Sequence, residues 1–186
     1  AGVVVSAFGF QGQKCSACSR AIVHEKVYDE FLSKLTARVS ALKVGPAKDP
    51  ANFMGPVINE LAMKSILGYI DVGRREGRLV AGGDRAPGAG YFVRPTVFAD
   101  VPRTARIFRE EIFGPVLAVT RARDFDDGVD LANDTEYGLT GSLYSRNREH
   151  IERGKRLLHC GNLYVNRKCT GALVGVHPFG GFNMSG

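Results

Sequence analysis

The 186-residue chain is 44% hydrophobic and 24% charged, the ordinary composition of one globular domain large enough for a full core. No apolar run reaches membrane-spanning length, so a membrane role is not expected, and the opening Ala-Gly-Val-Val-Val lacks the charged region of a signal peptide. The formal charge of +6 comes from Lys and Arg dispersed among acids, as in Arg146-Asn147-Arg148-Glu149, which argues against a nucleic-acid partner.

The periodicity predicts strands and helices in alternation. Ala21 to His24 reads as a strand, and Val27 to Leu42 as an amphipathic helix with Val27, Phe31, Leu35, Val39 and Leu42 on one face. Gly45-Pro46 ends that helix. A second helix is expected after Asn59, a natural N-cap, with Leu61, Ile66, Ile70 and Val72 as its apolar residues. Leu79-Val80-Ala81 reads as a short strand, stopped by Gly82-Gly83. Phe92 to Phe98 is strand-like, with Pro95 pointing to an edge or irregular position. Val116 to Thr120 is a stronger strand, and Asp124 begins a helix whose acidic first turn suits the helix dipole. Thr140 to Ser145, Glu149 to His159 and Asn162 to Asn166 continue as strand, helix and strand. The alternation implies an α/β domain with a largely parallel or mixed sheet. Residues 1–186 form one unit without internal repeat or low-complexity tract.

Four cysteines without a dense framework fit free thiols in a reducing compartment. Cys15 is the chemically suggestive one. It follows Phe10-Gln11-Gly12-Gln13-Lys14 and precedes a strand, and the Lys14 charge would favour its thiolate. The ordinary alternative is a packed, inert thiol. Cys15 and Cys18 form a Cys-x-x-Cys pair. Cys160 and Cys169 lie too far apart to complete a zinc site, and a strand rather than a helix follows, unlike a thioredoxin motif. No metal site is expected.

Two further loops concentrate Gly, Pro and polar residues: Glu110-Glu111-Ile112-Phe113-Gly114-Pro115, and Arg167 to Gly186 with Gly171-Ala172 and Pro178-Phe179-Gly180-Gly181. Neither contains a dinucleotide or P-loop phosphate motif. Taken in order, Gly12-Gln13-Lys14-Cys15, Glu110 to Val116, Asn133 to Leu139, Asn162 to Asn166 and Pro178 to Gly181 with Ser185-Gly186 resemble the aldehyde dehydrogenase superfamily. The resemblance covers essentially the whole chain. It implies the three-layer α/β/α catalytic domain of that family. Phe8 to Ala17 and Thr170 to Val176 resemble the Δ1-pyrroline-5-carboxylate branch, which oxidises L-glutamate γ-semialdehyde to L-glutamate with NAD in proline catabolism.

The resemblance implies that Cys15 attacks the aldehyde and that Glu111 holds the nicotinamide ribose, with Phe113 against the nicotinamide end. It also implies that Ser16 and the N–H groups of Gly171 and Ala172 anchor the substrate carboxylate. Phe179 would pack on the aliphatic part, although a core or hinge role fits it equally. Lys14 either tunes the thiol or points to solvent, and Glu111 could be a solvated acid at a turn. Most of the NAD site, the general base, the oxyanion-hole Asn and an oligomerisation segment are expected outside residues 1–186, so these residues alone should be inactive. The complete chain is expected to be a cytoplasmic homo-oligomer, or mitochondrial in a eukaryote. Another semialdehyde dehydrogenase, or a non-catalytic module keeping the fold, are the rival readings.

Overall fold

The computed structural model describes residues 1–186. Four strands, β1 (Arg20–His24), β2 (Arg78–Ala81), β3 (Thr96–Ala99) and β4 (Val116–Ala122), form a sheet in the order β1-β4-β3-β2. β1, β4 and β3 run parallel, with Arg20 opposite Ala118 and Thr96 opposite Val116, and β2 lies antiparallel on β3. Parallel neighbours need long crossovers, and the intervening helices supply them.

Each face of the sheet is covered. Ala21, Val23, Val97, Ala99, Leu117 and Val119 face helices α1 (Gly2–Phe8) and α2 (Glu25–Ser40), meeting Val4, Phe8, Tyr28, Leu32, Leu35 and Val39. Phe98, Val116, Ala118 and Ala122 face α3 (Glu60–Glu76), α4 (Arg106–Arg109) and α5 (Phe125–Asn133), meeting Met63, Ile66, Ile70, Phe108 and Leu131. The three-layer α/β/α architecture follows from this alternation. A strand buried on both faces has no solvent side, which is why β4 reads as a continuous apolar run. No helix is long and apolar enough to cross a membrane.

Asn59 caps α3 as expected, and Asp124, expected to begin a helix, is the cap of α5. Asn59 Oδ1 accepts from the Ala62 N–H at 2.8 Å, and Asp124 Oδ1 from the Asp127 N–H at 2.9 Å. Each such cap contributes about 1 kcal/mol.

Three expectations need correction. The buried stripe of α2 is Tyr28, Leu32, Leu35 and Val39, while Val27 is 52% exposed. The polar tip of Tyr28 enters the core because it is satisfied there: its hydroxyl donates to the Val119 carbonyl at 3.3 Å and accepts from the Asp100 N–H at 2.8 Å. In α3, Leu61 is exposed and Met63 takes the core position. The strand expected over Phe92 to Phe98 shortens to Thr96–Ala99, and Pro95 takes the irregular of its two expected positions rather than an edge. β3 lies inside the sheet but begins one residue after Pro95, so the missing N–H removes no ladder bond.

Two helices, α1 and α4, had no sequence signal. Val3-Val4-Val5 is a poor helix former, yet burial of Val4, Ala7 and Phe8 at helical spacing overrides propensity.

Beyond α5, β5 (Thr140–Leu143) and β6 (Asn162–Val165) make a separate two-stranded parallel sheet, joined by α6 (Arg148–Leu157). Asn147 caps α6, accepting from the Glu149 N–H at 2.9 Å.

Candidate active site

Cys15 sits at the corner of a tight turn, closed by the Ala17 N–H donating to the Lys14 carbonyl at 2.9 Å. The preceding residues Phe10, Gln11 and Gly12 have φ of +52°, +59° and +67°. Three successive left-handed residues, two of them not glycine, are costly and persist only where the surroundings hold them. Two contacts do so. Gln13 Oε1 accepts from the Ile58 N–H at 2.8 Å, and the Gln11 amide oxygen accepts from the Gly55 N–H at 2.9 Å. The turn leaves Cys15 exposed and Ser16 buried. The Lys14 ammonium lies 5.4 Å from the centroid of the Phe10 ring.

The Glu111 loop packs directly on this turn. A Cβ on Gly12 would collide with the Gly114 carbonyl oxygen, and one on Gly114 would collide with Ile66. Both positions therefore require glycine. Phe113 has φ of +53°, and its side chain is exposed while Ile112 is buried. The two adjacent acids behave differently. Glu110 receives hydrogen bonds from Arg106 Nε at 2.8 Å and the Tyr69 hydroxyl at 2.8 Å, which hold its carboxyl down at about 2. Glu111 is exposed and stands outside that network.

The third loop reaches the turn from the other side. The Ser16 carbonyl accepts from Thr140 Oγ1 at 3.4 Å and lies 3.7 Å from Cys169 Sγ. Two residues on, Gly171 has φ of +110°, and Gly171 and Ala172 line a cavity of about 280 Å³ with Asn162, Arg167 and His177. The N–H groups of Cys15, Ser16, Gly171 and Ala172 donate to no other backbone group. Phe179 is 42% exposed and outside that cavity wall.

Of the residues singled out in the sequence, Cys15 and Ser16 thus share one turn, Glu111 and Phe113 share the loop packed on it, and Gly171 and Ala172 share the loop tied to Ser16. Asn162, Arg167 and His177 lie in stretches that the sequence marked but were not singled out as site residues. Asn162 is the first residue of β6, and its Nδ2 donates to the Pro178 carbonyl at 2.7 Å, closing the loop over the cavity. Its place at the strand start was the available signal.

The profile of the Aldehyde dehydrogenase family matches residues 1–186. The chain belongs to the aldehyde dehydrogenase family. Among family members it is 56% identical over 184 residues to 1-pyrroline-5-carboxylate dehydrogenase of Bacillus subtilis (strain 168), covering 99% of this chain and 36% of that protein. Identity is 57% to the 1-pyrroline-5-carboxylate dehydrogenase of Geobacillus kaustophilus, with the same coverage. The solved structure of 1-pyrroline-5-carboxylate dehydrogenase from Thermus with bound NAD superposes with a TM-score of 0.95 at 56% identity, covering 98% of this chain and 35% of that one. A more distant aldehyde dehydrogenase, the betaine aldehyde dehydrogenase of Staphylococcus aureus, gives 0.92 at 32% identity, covering 98% and 37%. The chain spans about a third of the length of the curated relatives it matches.

Proposed function

We propose that residues 1–186 are the catalytic, cysteine-bearing domain of an NAD-dependent oxidoreductase of the 1-pyrroline-5-carboxylate dehydrogenase type, which converts L-glutamate γ-semialdehyde to L-glutamate. The observation that carries this reading is the junction at Ser16. It joins an exposed thiol with a free N–H to a loop offering two more free N–H groups.

An aldehyde does not release hydride readily until a nucleophile adds to its carbonyl carbon. Cys15 forms that C–S bond, giving a thiohemiacetal. The negative oxygen that develops lies next to the Cys15 N–H, which is free to donate to it. The Gly171 and Ala172 N–H groups, with the Ser16 hydroxyl, hold the carboxylate at the amino-acid end and so fix the aldehyde over Cys15. Phe179 packs on the aliphatic chain between the two ends.

Glu111 and Phe113 fit a nicotinamide dinucleotide. Glu111 is exposed, whereas its neighbour Glu110 is already committed to Arg106 and Tyr69, and the left-handed backbone of Phe113 holds its ring outward. Glu111 would hold a ribose hydroxyl of that cofactor, and the Phe113 ring would lie against its nicotinamide end. NAD, when bound, accepts the hydride. Hydrolysis of the thioester left on Cys15 needs a general base, which we assign to the remainder of the protein together with most of the dinucleotide site.

The four free thiols support a cytoplasmic location. The exposed Leu173, Val174 and Val176 support contact with the rest of the protein or a second copy, in keeping with a homo-oligomer.

The test is side-by-side turnover of glutamate, succinate and simple aliphatic aldehydes by the complete protein, with iodoacetamide labelling of its thiols. Preference for glutamate γ-semialdehyde and fastest alkylation at Cys15 are expected. Equal turnover of all aldehydes would overturn the substrate. Alkylation of Cys15 no faster than Cys18, Cys160 and Cys169 would overturn the nucleophile.

A further inference from the structure

Three consecutive amides open the loop after Thr170, and the third is used differently from the first two. The Gly171 and Ala172 N–H groups donate to no backbone group, whereas the Leu173 N–H donates to His177 Nδ1 at 3.0 Å. The His177 and Val176 N–H groups return to the Leu173 carbonyl at 2.8 and 3.0 Å, and Gly175 turns the tip with φ of +87°. His177 therefore grips Leu173 twice, once through its backbone and once through its ring.

Burial does not hold this segment. Leu173, Val174, Val176 and His177 are exposed, and only the ends are pinned. Cys169 and Thr170 are buried on one side, and on the other the Pro178 carbonyl accepts from Asn162 Nδ2 at 2.7 Å. Between those pins, hydrogen bonds set the backbone. A peptide unit is planar, so fixing the Leu173 amide also fixes ψ of Ala172, and with it the direction of the neighbouring N–H groups. Gly171, with φ of +110° and no Cβ, cannot hold that direction by itself. His177 also lines the cavity shared by Gly171 and Ala172.

We propose that His177 is a positioning residue: by accepting the Leu173 N–H at Nδ1 it holds the Gly171 and Ala172 N–H groups toward the substrate carboxylate, and protonation of its ring releases them. The proposal rests on the carboxylate-anchor reading above. A ring that accepts at Nδ1 carries its proton on Nε2, so the brace exists only with a neutral imidazole. A second proton would set a donor at Nδ1 against the Leu173 donor. Arg167 and the Tyr164 hydroxyl, from β6 and the turn after it, line the cavity with His177, and Lys168 reaches Gly171. No carboxylate lines that cavity to steady an imidazolium. The brace is thus complete in the neutral form and is lost as pH falls.

The experiment compares the complete wild-type protein with His177→Asn and His177→Phe. Asn offers Oδ1 in place of Nδ1 but does not titrate, and Phe keeps a ring without an acceptor. Two quantities are read: hydrogen exchange of the segment 173–177, and the ratio of kcat/KM for glutamate γ-semialdehyde to that for propanal. At neutral pH we expect His177→Phe to exchange faster and to lose about threefold to tenfold in that ratio, the effect of one hydrogen bond. His177→Asn should restore both. Between about pH 8 and 5, where imidazoles gain their charge, the wild-type ratio should fall relative to that of His177→Asn. Taking each pH against the Asn variant cancels changes in the substrate or Cys15. Wild-type exchange and selectivity in His177→Phe would overturn the proposal, as would a wild-type ratio that rises in acid, the sign of an imidazolium attracting the carboxylate. A wild-type protein with no preference for glutamate γ-semialdehyde over propanal would sink the carboxylate-anchor reading and this proposal with it. Preference in the wild type that His177→Phe leaves intact would overturn the role of His177 alone.

Discussion

Gly12 and Gly114 touch backbone to backbone, and no other residue fits at Gly12. A Cβ there would meet the Gly114 carbonyl, and its φ of +67° disfavours any side chain independently. The contact locks the Cys15 turn against the loop bearing Glu111 and Phe113. Gly12→Ala should therefore destabilise the protein by about 2 kcal/mol or more. It should also lower turnover, because the two loops must separate. Gly9→Ala is the matched control: no atom lies within 4 Å of its would-be Cβ, and its φ is −58°. Urea unfolding and steady-state turnover of the two variants in the complete protein check this. Equal effects would refute it.

Tyr28 is a core residue through its hydroxyl as much as its ring. The oxygen serves both the Val119 carbonyl and the Asp100 N–H, and Arg121 stacks 3.7 Å from the ring centroid. Tyr28→Phe keeps the ring and orphans the Asp100 N–H, while the Val119 carbonyl keeps its bond from the Val101 N–H at 3.1 Å. The expected loss is about 1–3 kcal/mol, read as a lower urea midpoint with an unchanged slope.

Much of this architecture was legible in the sequence because its signals are local. Asn59 and Asp124 cap helices where polar residues precede apolar periodicity, and Val116 to Thr120 reads as a buried strand because it is one. Tyr28 and α1 were not legible, since their burial depends on partners distant in sequence. Val119 and Asp100 satisfy Tyr28, and the sheet face covers Val4 and Phe8. The same distinction holds at the site. Cys15, Glu111 and Gly171 lie in recognisable loop motifs. What joins those loops is the fit of Gly12 on Gly114 and the approach of Cys169 to Ser16, contacts that no single stretch of chain encodes.

The Glu110 carboxyl makes acid stability depend on pH in a definite direction. Hydrogen bonds from Arg106 and Tyr69 lower it in the folded state from 4.5 to about 2. A folded-state value below the unfolded one means that the ionised form stabilises the fold. That contribution is complete above the unfolded value and is lost as pH falls through the range from 4.5 to about 2. Glu110→Gln should flatten the pH dependence of the urea midpoint within that window. The wild-type and variant slopes should coincide near neutrality.

Ser16 offers the sharpest separation of binding from chemistry. If its hydroxyl and the Gly171 and Ala172 N–H groups hold the substrate carboxylate, removing the hydroxyl weakens an interaction with a charged group. Such a bond contributes about 1.5–3 kcal/mol, equivalent to a loss of about tenfold or more in kcat/KM. The loss should be confined to aldehydes carrying the carboxylate. Ser16→Ala in the complete protein should therefore raise KM for glutamate γ-semialdehyde and leave the kinetics of propanal unchanged. Ser16 also holds the turn, but through its carbonyl, which accepts from Thr140 and faces Cys169. Alanine keeps that carbonyl, so a general collapse of the turn is not expected. Parallel losses on propanal and glutamate γ-semialdehyde would assign Ser16 to holding Cys15 in place rather than to recognising the carboxylate.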